Sequence, residues 1–191
     1  MFMKPEVERL CKSVLTRNEF EEAVSIALMY KVDQPVAVKR FFDLDKKVGI
    51  PVPSHTDYPV EYRGVIRTID YYCKPDIVEG IRFPRNFVEN VCGHLESCAK
   101  LLLEKLDSTA RTNIPLGPVV KKLKNLPVSK DLILRLNELN RVVYARAKHD
   151  WDVPLRPNIH LFEIDDAIVI YFIARKLAKQ LLEEGKIKLP G

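Results

Sequence analysis

Apolar residues recur along this chain mostly at three- and four-residue spacing, the period of an α-helix with one face against a core. In residues 4–31 the series is Val7, Leu10, Val14, Leu15, Ala23, Ile26, Ala27 and Tyr30, which predicts one long helix stopped by Asp33-Gln34-Pro35. Residues 36–48 predict a second helix, closed by Gly49. Pro51, Pro53 and Pro59 exclude a helix interior from residues 50–60, because each ring removes a backbone donor and crowds the preceding turn. That stretch reads as a connection. Residues 62–73 fit the helical period slightly better than a strand's, through Val65, Ile66, Ile69 and Tyr72.

The second half repeats the pattern more clearly. Val88, Cys92, Leu95, Ala99, Leu102 and Leu106 form one stripe across residues 85–106. Residues 116–126 predict a short basic helix opened by Gly117-Pro118. Ser129 is the expected N-cap of a helix over residues 130–149, with Leu132, Leu136, Leu139, Val143 and Ala147 inward. Pro154 and Pro157 make residues 151–159 a loop. The last helix, residues 162–184, has Glu163, Asp165 and Asp166 in its first turn and Gly185, Lys186 and Lys188 at its end. Residues 167–174 are apolar all round, which places that helix at the centre of the core or at a subunit interface. The fold class is all-α: a helical bundle over residues 85–191, with residues 1–84 as an N-terminal helical extension and proline-rich connection.

Composition narrows the class further. The chain has 191 residues, 47% hydrophobic and 30% charged, as a folded globular protein does. Its longest apolar run, residues 167–174, is far short of the ~20 a spanning helix needs, so no membrane partner is expected. Lys4, Glu6, Glu8 and Arg9 leave no apolar signal core at the start, and the expected location is cytoplasmic. Cys11, Cys73, Cys92 and Cys98 match no disulfide framework and are expected as reduced thiols. Cys92, His94 and Cys98 resemble a metal cluster, but on one helix the two thiols stand about 120° apart, against a closed zinc site. No G-x-G-x-x-G, Walker loop, G-x-S-x-G or H-E-x-x-H is present, so no cofactor is expected.

Charge changes the picture most. Residues 116–149 hold Lys121, Lys122, Lys124, Lys130, Arg135, Arg141, Arg146 and Lys148 against Asp131 and Glu138, a net +6, while the rest of the chain nets −1. Such a stretch attracts phosphate backbones, or is simply a solvated helix face. At 100° per residue, Asn137, Tyr144 and Lys148 fall within about 60° of Arg141 and opposite the apolar stripe, so Arg141 and Lys148 are expected to face outward. Asn140, Arg141 and Lys148 are the candidate phosphate-binding residues. Arg146 and His149, three apart, are the arginine–histidine pair able to address one phosphate. The plainer alternatives are a dipole-favoured helix end for His149, a salt bridge from Arg146 to Asp150 or Asp152, and a helix-end anchor for Trp151. A second constellation, His149, Asp150, Asp152, His160, Glu163, Asp165 and Asp166, could ligate a transition metal, although the last three acids already suit a helix N-terminus.

The penultimate long helix ending in an arginine-rich, histidine-containing segment, the proline-bearing loop and the hydrophobic closing helix together resemble the HEPN superfamily over residues 85–184. That resemblance implies a homodimer, and either a metal-independent endoribonuclease of toxin, defence or RNA-processing systems or a non-catalytic RNA-binding relative. It implies that His149 helps activate a ribose 2′-hydroxyl and that Arg146 stabilises the phosphorane-like charge. Arg141 and Arg146 stand eight and three residues before His149, spacings that differ from the family's own. Two further function classes remain: a non-enzymatic interaction and dimerisation module, whose apolar last helix builds a dimer interface while its N-terminal helices dock a protein, and a metal-dependent hydrolase built on His149 and His160.

Overall fold

The computed structural model describes residues 4–50, 81, 83–149 and 162–188, and among them all regular structure is helical. The helices are Pro5–Val14 (α1), Arg17–Tyr30 (α2), Gln34–Val48 (α3), Pro84–Leu106 (α4), Leu116–Leu123 (α5), Lys130–Leu139 (α6) and Ile164–Glu184 (α7). A π-helical stretch, Asn140–Tyr144, carries α6 on without a break into a last turn, Ala145–His149. The protein is an all-α bundle. The expected elements within residues 50–80 and 151–161 lie outside the described residues.

The first expected helix is two. Residues 4–31 break at Leu15-Thr16 because Thr16 and Glu19 form a capping box: the Glu19 N–H donates to Thr16 Oγ1 at 3.3 Å, and the Thr16 N–H donates to Glu19 Oε2 at 2.8 Å. The apolar phase runs nearly unbroken across the break, so periodicity alone does not register it. Both helices pack inward, α1 through Val7, Leu10, Cys11 and Val14, α2 through Ala23, Ile26, Ala27 and Tyr30. Asp33 caps α3, accepting from the Val36 N–H at 3.2 Å, with Pro35 in the first turn where its missing donor is harmless.

Helix α7 is the axis. Every residue from Ala167 to Ala174 is buried, and α7 packs most extensively on α4, then on α2, α1 and α3. Its all-round apolarity is therefore met within one chain, with no second copy needed to cover it. Phe41 of α3 sits 4.5 Å from Tyr171 and 4.7 Å from Phe172, and Phe87 of α4 stacks 5.6 Å from Tyr171 (ring centroids). The N-terminal helices thus share one hydrophobic core with the C-terminal bundle. Among the described residues no helix is long and apolar enough to cross a membrane.

Replacing Thr16 with Ala removes one half of the capping box; we expect a loss of about 1 kcal/mol. It would be read as a lower urea midpoint at unchanged slope. An unchanged midpoint would mean that packing alone sets the α1–α2 break.

Candidate functional site

The basic rod changes character midway. Through Leu139 it is an ordinary α-helix with Leu132, Ile133, Leu136 and Leu139 inside. From Asn140 the turn widens, and the Ala145 N–H reaches back to the Asn140 carbonyl, an i→i+5 bond. The extra residue in that turn lets Val142, Val143 and Tyr144 all be buried in succession, and Ala147 after them. Angles counted at 100° per residue no longer hold beyond it. Tyr144 and Lys148, expected outward beside Arg141, are corrected accordingly. Tyr144 is buried, and Lys148 is half-buried with its Nζ 4.3 Å from the Tyr144 ring centroid and 3.4 Å from Glu96 Oε2. Arg141 is exposed. Asn140 is half-buried beside Gly117, where a Cβ would stand 3.1 Å from its Nδ2, so the glycine lets α5 start against the π stretch.

Arg146 is exposed and pairs with Glu6 of α1 at 3.1 Å. The acids expected for it, Asp150 and Asp152, lie outside the described residues, as do the side chain of His149, Trp151 and His160. The His149–Asp152–His160 metal constellation therefore falls outside them as well. Among the described residues no three His, Cys, Asp or Glu side chains converge to hold a metal ion. Asp165 and Asp166 serve the start of α7: Asp165 takes Lys31 at 2.8 Å, and Asp166 accepts from the Glu163 N–H at 3.1 Å.

Glu96 of α4 is the hub for the basic segment. Its carboxylate accepts from Lys100 Nζ at 2.7 Å, the Leu116 N–H at 3.1 Å, Lys148 Nζ and the Tyr144 hydroxyl. Burial alone would raise its pKa, but the Lys100 hydrogen bond and the Lys148 charge outweigh burial and hold it below the usual carboxylate range. Burial and the Glu96 charge push the Tyr144 hydroxyl up, so it stays a donor. One carboxylate thus ties α4, the start of α5 and the far end of the rod together.

The cations left over gather elsewhere. Helix α5 lies antiparallel beside α6, with Gly117 next to Asn140 and residues 124–129 joining the two. Lys121, Lys124, Lys130 and Arg141 are exposed on this pair and make no ion pair among the described residues. Both acids of the segment are engaged, Asp131 by Arg135 at 2.7 Å and Glu138 by Arg9 at 3.7 Å. A cleft of about 380 Å³ at the other side of α6, lined by Ser129, Asp131, Leu132, Gln180, Glu183 and Glu184, is acidic.

Periodicity gave no notice of a third cluster. Arg175 of α7 is fully buried. Its Nε donates to Asp45 Oδ1 at 2.7 Å and its Nη2 to Asp45 Oδ2 at 3.1 Å; Nη2 also donates to the Ile50 carbonyl at 2.7 Å. Its Nη1 lies 3.2 Å from His94 Nε2. Guanidinium has no acceptor, so Nε2 must accept and the imidazole proton sits on Nδ1, facing Cys98 Sγ at 4.0 Å. Burial first, then the Arg175 charge, hold His94 neutral well below the ordinary histidine range. Burial pushes the Cys98 thiol up to about 12, and raises Cys11 and Cys92 further, so these thiols are inert near neutrality. Cys92 points elsewhere and takes no part. The signal in the sequence is a lone arginine directly after eight apolar residues. The cluster is closed, and we assign it to structure.

Comparison with protein-family models, curated proteins and solved structures returns no match to this chain.

The buried His94 has a consequence in pH. As pH falls through about 6.5, the unfolded chain protonates this imidazole and the folded chain does not. Stability is therefore full above that pH and is lost below it, at up to about 1.4 kcal/mol per pH unit. Urea titrations between pH 7.5 and 5 would measure the slope. His94→Gln keeps an acceptor for Arg175 without the titration, and should flatten the profile; equal slopes in both proteins would exclude His94 as its cause.

Proposed function

We propose that this protein binds RNA through the α5–α6 surface. One observation supports this most: Lys121, Lys124, Lys130 and Arg141, exposed and without an ion pair among the described residues, share one helix pair whose own acids, Asp131 and Glu138, are already taken by Arg135 and Arg9. Holding uncompensated like charges together costs free energy, and a phosphate backbone removes that cost by displacing counterions. The resemblance of residues 85–184 to HEPN proteins points to the same substrate class. It adds cleavage as a distinct step, for which Arg146, hydrogen-bonded to Glu6, and His149 are the residues to test. On this reading the protein works in the cytoplasm as a homodimer, without a cofactor.

Four phosphate contacts predict that affinity for single-stranded RNA falls roughly 50-fold between 50 and 200 mM salt. Alanine at Lys121, Lys124, Lys130 and Arg141 together should remove most of that dependence at unchanged thermal stability, measured by fluorescence anisotropy. Binding that ignores salt would sink the reading. His149→Ala should abolish any cleavage while leaving binding in place.

A second reading, a module that associates through its N-terminal helices, draws on Leu28, Val32 and Val36, exposed together around the α2–α3 turn, with Val32 85% exposed. Association driven by that apolar patch would be insensitive to salt and lost in Val32→Asp, as sedimentation would show.

A further inference from the structure

We draw no further inference here: the strongest candidate, the exposed apolar surface patch of Leu28, Val32 and Val36 at the α2–α3 turn, carries nothing beyond the association already named for it, because nothing in the structure shows what covers it.

Discussion

A guanidinium with no contact with water has to be satisfied on every side, and in this protein that requirement fixes the meeting of three helices. Arg175 needs both oxygens of Asp45, the carbonyl of Ile50 and the ring nitrogen of His94, and these come from α3, the second residue past its end, and α4. Removing a charge from water costs several kcal/mol, so a packing that left one of these bonds unmade would be strongly disfavoured against the one that makes them all. Hydrophobic contacts alone, such as those of Phe41 with Tyr171 and Phe172, are non-directional and would hold α3 less strictly against α7. The arginine removes that freedom. Gly49 belongs to the same constraint: a Cβ there would lie 2.7 to 2.9 Å from three guanidinium atoms, so the end of α3 approaches Arg175 only because the side chain is absent.

Helix α4 carries a second fixed point on its other side. His94 and Glu96 are two residues apart and hence about 200° apart around the helix. One turns toward Arg175 and the α3–α7 seam, the other toward Tyr144, Lys148 and the first residue of α5. Polar anchors on opposite faces of one helix lock the N-terminal helices and the basic rod to the same scaffold. A surface built on α5 and α6 therefore inherits the rigidity of the core. Precision of that kind is what distinguishes a surface able to discriminate among ligands from one that merely attracts them.

Much of the architecture was legible in the residues because apolar spacing reports burial directly. The stripe Val88, Cys92, Leu95, Ala99, Leu102 belongs to a helix buried on that face, and the apolar run in residues 167–174 belongs to the helix at the centre. What escaped is what periodicity does not encode. The Thr16–Glu19 box is a local hydrogen-bond motif inside a continuing apolar phase. The partners of Arg175 lie 130 and 81 residues away in sequence, so only the oddity of an arginine in the most apolar helix was visible. The π stretch left a trace too, three consecutive side chains, Val142, Val143 and Tyr144, which one face of a regular helix does not bury. Taken at 100° per residue, that trace passes for ordinary sequence, and Tyr144 and Lys148 are assigned outward, although Ala147 is buried as its spacing predicts.

That wider turn divides the basic rod by use. Lys130 ahead of it and Arg141 at its start remain in solvent, and the acids between them are engaged by Arg135 and Arg9. Beyond it, Lys148 is drawn against Glu96 and Tyr144, and Arg146 is met by Glu6. The net charge of the segment is therefore a poor guide to what it can attract, since part of it is already spent within the fold. A cation buried against a carboxylate offers little field to a ligand, whereas an exposed one without a partner offers nearly all of its own. On that ground the outer half of the rod, together with α5 beside it, carries the capacity to bind an anion, and the inner half carries the job of holding it in place. Any phosphate chemistry at the end of the rod would have to draw Arg146 from Glu6 first, a small cost for an exposed pair and a natural point of competition between α1 and a bound strand.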